Sequence, residues 1–398
     1  MKTNYKTRSS SSNKHEGDQH RLVGQILDDR LRVISLNHIS PRQWLYQVEP
    51  PSVGKTRRAL KVLGDPLSRE PGSFYRLKTA YDRLKRLDSP YIERAYECGL
   101  LHDLTPYIVV EWEPHSSLYE YLRLRRKPMT WLEAQSLLTN IARGLEAMHT
   151  QGIAHGDLRP QHILLRHPPS APVIIDACIN SAFGAPPVPG LDRSSAFWAP
   201  ERWSLSSATA SSDMYSLGAL MFHCLHGHPP FDLDASGFNE QNKQGPLKSP
   251  LKCLEEAHIE QNPPECSSDI PDYISQLIKQ LLSKSPRQRP TITETLKTLK
   301  ADPQDQALRS TLDLDSSSFA QEAEQIQAIL KQDDQEPASN KLDEKQKDLA
   351  EPQSVNHPVS SDLQTSLATE AKPYTISPIL MAALCSVGAL LGLILAKL

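Results

Sequence analysis

The chain has 398 residues, 38% of them hydrophobic, with 32 prolines and a formal net charge of −3. That length suffices for two lobes of one large domain with polar tails, and the near-neutral balance gives no global argument for nucleic acid as a partner. The six cysteines (Cys98, Cys178, Cys224, Cys253, Cys266, Cys385) are scattered without a C-x-x-C pair, which excludes a zinc site or disulfide framework and fits a reducing compartment.

Residues 1–25 are polar, basic and Ser-rich, with no apolar core for a signal peptide, and are expected to be a disordered tail. From Ile26 the pattern changes to short alternating apolar runs. Leu31–Ile34, Trp44–Val48 and Arg58–Leu63 read as three strands, with Pro50-Pro51-Ser52-Val53-Gly54 as a turn. Leu77, Tyr81, Leu84 and Leu87 recur at helical spacing and predict a helix over Ser73–Leu87, ended by Pro90. Pro106–Glu113 reads as a buried strand entering a linker. Another helix begins at Leu118, and Trp131–His149 is a long amphipathic helix. The stretch from Asp232 to Pro271 is long and polar and carries no legible pattern. Residues 301–375 have a net charge of about −9, the composition of an acidic disordered linker, with one short helix at Phe319–Leu330. Residues 376–396 are almost wholly apolar and uncharged, long enough to span a bilayer. They are expected to form a transmembrane helix, a tail anchor with only Lys397-Leu398 beyond it, leaving the globular part in the cytoplasm.

The chemistry-bearing stretch is His155-Gly156-Asp157-Leu158-Arg159-Pro160-Gln161-His162, followed by the apolar Ile163-Leu164-Leu165. It resembles the catalytic loop of protein kinases, H-R-D-L-K-P-x-N. Other pieces fall at kinase spacing: Ala59-x-Lys61 on the third strand, Val173-Ile174-Ile175-Asp176 before the D-F-G position, Trp198-Ala199-Pro200-Glu201 at A-P-E, Asp213-Met214-Tyr215-Ser216-Leu217-Gly218, and Arg289-Pro290. The last three set the chain apart from small-molecule kinases, which share H-G-D and a later Asp.

The resemblance implies an α+β bilobal kinase-like fold, with a β-rich N-lobe over 26–112 and a helical C-lobe over 113–300. It implies ATP and Mg2+ (or Mn2+) as cofactors and a protein Ser/Thr hydroxyl as acceptor, the Ser/Thr branch being indicated by Arg159-Pro160. Asp157 would be the base, with Arg159 and Lys61 on the phosphates and Asp176 on the metal. His162 would stand at the second metal ligand. Ala59 and Val110 would touch adenine, and Glu111 and Glu113 would offer hinge backbone. Glu201, Arg289 and Asp213 would be structural, and Ser194 would stand at the substrate-side Thr.

Several positions depart from the family pattern. The phosphate-loop glycines would fall at His38, Ser40 and Gln43, where side chains obstruct close backbone approach. The helix glutamate that pairs with the strand lysine falls at Ala80, and Asp82 faces elsewhere, so Lys61 is expected to lose its usual helix partner. Gly156 replaces the motif arginine, and Ala177 and Cys178 replace Phe and Gly. Magnesium prefers oxygen to the nitrogen that His162 offers. Two functions follow: a membrane-anchored Ser/Thr kinase with impaired activity, or a pseudokinase serving as a membrane-tethered scaffold.

Overall fold

In the computed structural model, the described residues are 22–27, 30–40, 43–50, 56–64, 71–166, 168–177, 179, 194–204, 207–232 and 249–300. All belong to the compact unit Met1–Lys341; a second unit spans Leu342–Leu398. The N-terminal tail, Cys178, the acidic segment and the apolar run 376–396 lie outside the described residues, and among those described no helix is long and apolar enough to cross a membrane.

The small lobe is a six-stranded antiparallel sheet. Its strands are β1 (Ile26–Leu27), β2 (Leu31–Ile39), β3 (Gln43–Glu49), β4 (Arg58–Leu63), β5 (Ala95–Leu100) and β6 (Pro106–Glu111), in the order β1-β2-β3-β4-β6-β5. β4 is buried on both faces, and its period of two sorts its side chains. Leu60 and Val62 join Tyr46, Val48 and Val109 in one apolar cluster. Ala59 and Leu63 join the large core on the other face, with Ile108 and Val110. Lys61 shares the parity of Ala59 and Leu63, so it looks into the cleft rather than outward.

Helix α1 (Ser73–Leu84) packs Leu77, Ala80, Tyr81 and Leu84 against that second face. It ends one turn before the predicted Leu87, and the chain leaves through turn bonds from Arg86 N to Arg83 O and from Leu87 N to Leu84 O. Neither β1 nor β5 was legible in the sequence, β1 because it is only two residues long and β5 because its mostly half-buried residues do not alternate cleanly.

The large lobe is built on α2 (Leu118–Arg125), α3 (Trp131–Thr150), α4 (Pro200–Trp203), α5 (Ala210–His226), α6 (Pro250–Glu260), α7 (Asp272–Leu281) and α8 (Ile292–Lys300). Two of their starts are written in the sequence as capping boxes, Ser117 with Glu120 and Thr130 with Glu133, each satisfying two otherwise orphaned donors. α5 is buried on nearly every side, as a central core helix must be. α6 occupies part of the unreadable stretch after Asp232. A short antiparallel pair, β7 (Ile163–Leu165) and β8 (Pro172–Ile174), lies beneath the cleft. Ile174 also bridges in parallel to Ile92, which ties the segment after α1 to the large lobe.

Candidate active site

The catalytic loop is held from below by Asp213, at the first turn of α5. This carboxylate accepts from His155 N at 2.8 Å, Gly156 N at 2.9 Å and His149 Nε2 at 2.9 Å. Gly156 adopts φ +78°, and a Cβ there would lie 2.7 Å from Ala208 Cβ. The missing motif arginine is thus a backbone requirement that glycine meets at least cost. His155 Nε2–H donates to Ile175 O at 2.8 Å, and its Nδ1 accepts from Asp157 N at 3.2 Å.

This scaffold places the Asp157 carboxylate in the cleft, where Arg159 Nε lies 3.5 Å from Oδ2. His162 Nδ1 is 2.8 Å from Asp157 O. A carbonyl only accepts, so Nδ1 carries the proton and Nε2 keeps its lone pair. That lone pair faces Arg159 Nη2 at 3.2 Å and lies 3.7 Å from Asp176 Oδ2. Burial, reinforced by the Arg159 charge, pushes the imidazole down to about 4, so it is neutral at ordinary pH.

Asp176 follows β8 with φ +70°, a left-handed conformation that Asp tolerates better than most residues. Its Oδ1 accepts from Lys61 Nζ at 2.7 Å, and its Oδ2 from Gln43 Nε2 at 2.9 Å. Burial alone would raise this carboxyl; the Lys61 charge, the His162 ring and these hydrogen bonds hold it well below the usual range.

Helix α1 supplies Lys61 with no acid, as expected, but a carboxylate from another segment takes that place. Lys61 Nζ lies 2.5 Å from Glu93 Oε1, and both side chains are nearly excluded from solvent. Ala80 is buried in the core, and Asp82 pairs with Lys78 on the exposed face of α1, as the sequence indicated. The acid comes instead from the segment after the helix. Nothing in the local pattern marks Glu93, because only the bridge between Ile92 and Ile174 brings it to the lysine. Burial and the charge of Asp176 push Glu93 up to about 7 against the pull of Lys61.

Of the positions expected to carry the phosphate loop, Ser40 and Gln43 bond to each other. Ser40 N donates to Gln43 O at 2.9 Å, and Gln43 N to Ser40 Oγ at 3.1 Å. The Gln43 amide reaches the Asp176 carboxylate across the cleft.

At the back of the cleft, Ala59 and Val110 are partners across β4 and β6. Arg166, just after β7, binds the Glu113 carboxylate, Glu111 Oε2 at 3.1 Å and Pro90 O at 3.2 Å. The two hinge glutamates thus spend their side chains on clamping the hinge to the large lobe, a role that sequence reasoning missed. Farther down, Arg289 and Glu201 form a two-pronged pair at 2.7 and 2.8 Å. Ser194 begins the 3-10 turn Ser194–Phe197.

Stability should fall with acid in a defined window. Burial pushes His223 down to about 4 and His258 to about 3. Each is neutral in the fold, while the unfolded chain takes up its proton near pH 6.5. Their contribution is complete above pH 6.5 and is lost as pH falls. His162 behaves the same way, whereas Glu93, with its raised value, works in the opposite sense, so these two offset. Each net proton taken up only by the unfolded chain adds about 1.4 kcal/mol per pH unit to the loss as pH falls below 6.5. Thermal melts across that window check it, and His258→Gln should flatten the slope.

With the geometry in place, the comparisons are specific. The protein kinase domain model matches residues 69–299; the chain belongs to the protein kinase family. Over 190 residues it is 33% identical to the serine/threonine-protein kinase PknK of Mycobacterium tuberculosis, covering 47% of this chain and 17% of that protein. Over 217 residues it is 28% identical to the probable serine/threonine-protein kinase PknB of Lactococcus lactis, covering 54% and 34%. These matches span about a third or less of their relatives' length. The kinase domain of M. tuberculosis PknI superposes with a TM-score of 0.52 at 20% identity, over 69% of this chain and 96% of that one, which supports the bilobal fold.

Proposed function

We propose that the protein is a Ser/Thr protein kinase with a constrained cleft, transferring the terminal phosphoryl group of ATP to a protein hydroxyl. The observation that carries this reading is the convergence of Lys61, Asp157, Arg159, His162 and Asp176 from three separate segments, with the Lys61 ammonium supported by carboxylates. Ala59, Val110 and the hinge backbone at Glu111 and Glu113 would receive the adenine. Asp157 orients the acceptor hydroxyl and takes its proton as oxygen attacks the γ-phosphorus and the bond to the β-phosphate oxygen breaks. Arg159 and Lys61 stabilise the phosphate charge. Catalysis of this kind is mainly positioning and electrostatics.

The donor set at the metal position is one carboxylate, Asp176, and one imidazole nitrogen, His162 Nε2, 3.7 Å apart. That pair suits Mn2+ better than Mg2+. Asp176 and His162 would hold such an ion, which would supply neutralisation of phosphate charge; the Gln43 amide and the Arg159 guanidinium now contact those two groups. The same Gln43 contact favours the second reading, a pseudokinase scaffold in which the side chain keeps the site closed. The apolar run 376–396 supports a membrane anchor for either reading, with the kinase domain in the cytoplasm.

The test uses the full chain, melted with and without ATP and each metal. Ligand at a hundredfold over its dissociation constant stabilises by about 2.7 kcal/mol, and manganese should give the larger shift. Asp157→Asn should keep that shift and lose transfer to a generic protein acceptor. No shift at millimolar ATP would remove the kinase reading and leave the scaffold.

A further inference from the structure

Lys61 lies between two carboxylates whose backbones are tied to the same strand. Glu93 N donates to Ile174 O at 2.9 Å, and Ile174 N donates to Tyr91 O at 2.8 Å. Ile92 and Ile174 form the parallel bridge, and Glu93 Oε2 accepts from Asp176 N at 3.4 Å. Helix α1 gives the site no acid. Asp82, the one carboxylate in Ser73–Leu84, pairs with Lys78 outside.

We propose that Glu93 is the positioning residue for Lys61, fixing the lysine of the small lobe to β8 of the large lobe so that its placement does not follow movements of α1. This rests on reading the cleft as an ATP site. A lysine paired to a helix is released when the helix shifts. A lysine paired through a backbone ladder to the strand that presents Asp176 moves with Asp176. The phosphate-binding cation and the metal-binding carboxylate then form one rigid unit, and nucleotide binding does not depend on the state of the helix.

The charge count makes this testable. Two carboxylates share one ammonium in a site where all three are almost fully buried. Removing Lys61 leaves two facing carboxylates, a strongly unfavourable arrangement. Removing the Glu93 charge leaves a neutral pair of Lys61 and Asp176. Glu93→Gln should therefore be mild by itself and restorative in the absence of the lysine.

The experiment compares the full chain as wild type, Lys61→Met, Glu93→Gln and the double variant. Lys61→Met should lower the melting temperature by roughly 10 °C. Adding Glu93→Gln should recover about half of that loss, whereas Glu93→Gln alone should shift it by only a few degrees. A double variant that folds where Lys61→Met does not is the same recovery. Equal effects of Glu93→Gln in both backgrounds, or failure of both lysine variants to fold, overturn the proposal.

The second readout is ATP affinity in manganese. Glu93→Gln should weaken it about tenfold with Lys61 present and not at all with Lys61→Met, and Asp82→Ala should match wild type. Unchanged affinity in Glu93→Gln, with wild type binding, overturns the positioning role. Wild type that binds no ATP removes the kinase reading instead, and the melting comparison still decides whether Glu93 supports the lysine.

Discussion

Asp213→Ala should lower stability by about 3–5 kcal/mol, close to the largest effect expected of any single change in this domain. The carboxylate is almost wholly buried and accepts from three donors: His155 N, Gly156 N and His149 Nε2. Alanine cannot replace those bonds, and the vacated space leaves donors without water. For a domain of this size the loss corresponds to a melting-temperature drop of about 6–20 °C. The functional loss should exceed what stability explains. Gly156 adjoins Asp157, so releasing its N–H lets the proposed base drift, and a displacement near 1 Å costs on the order of a hundredfold in rate. Asp213→Asn, which keeps one acceptor oxygen, should fall between wild type and alanine. Asp82→Ala, at an exposed pair on α1, should stay within about 0.5 kcal/mol. Melting and phosphotransfer of the four proteins together give the check. An Asp213→Ala protein as stable as Asp82→Ala would contradict the account of the loop.

Arg289→Met should cost a similar 3–5 kcal/mol, for a different reason. The guanidinium is fully buried and makes five hydrogen bonds. Two go to Glu201 at 2.7 and 2.8 Å, and the others to Ser283 O at 2.8 Å, Ser211 O at 2.9 Å and Lys284 O at 3.1 Å. It also lies 5.1 Å from the centroid of the Tyr215 ring. Methionine fills the volume but leaves one carboxylate and three carbonyls to find new donors. Lysine keeps the charge but lacks the planar fork, so Arg289→Lys should recover less than half of the loss. Glu201→Gln should cost less than either arginine variant. Its carboxylate is partly solvated, and the arginine would keep its three carbonyl partners. In the Arg289→Met background, Glu201→Gln should be nearly neutral, because the charge it removes is the one left stranded. A chemical-denaturation cycle over these four proteins measures the coupling. Additive losses would mean that Glu201 and Arg289 contribute separately.

Much of this site was legible because its residues are fixed to local pattern. Asp157, Asp176, Lys61, Asp213, Glu201 and Arg289 each sit beside an apolar run or turn of recognisable spacing, and each occupies a place consistent with that spacing. The parity of β4 places Lys61 with Ala59 and Leu63, facing the cleft. The left-handed backbone at Gly156 and the nearby Ala208 give a steric reason for the glycine in place of the motif arginine. Other features left no local trace. Glu93 reads as one more charged residue after Pro90, Gln43 only as a side chain in place of a phosphate-loop glycine, and Arg166 as a basic residue at a strand end. Their partners lie 32, 133 and 53 residues away in sequence for the bonds to Lys61, Asp176 and Glu113.

The sequence by itself determined the strands β2, β3, β4 and β6, the helices α1, α2 and α3, and which acids and bases stand at the family's positions; the capping boxes of α2 and α3 are local in the same way. Periodicity and capping are set by neighbours three or four residues away, and the chain carries that information locally. The tertiary structure decided which carboxylate holds Lys61, what occupies Asp176 and how the hinge is clamped. Those contacts form only once Ile92 pairs with Ile174 and the fold brings Gln43 to Asp176 and Arg166 to the hinge. A hydrogen bond between distant side chains demands a shared position in space and imposes no period on the sequence.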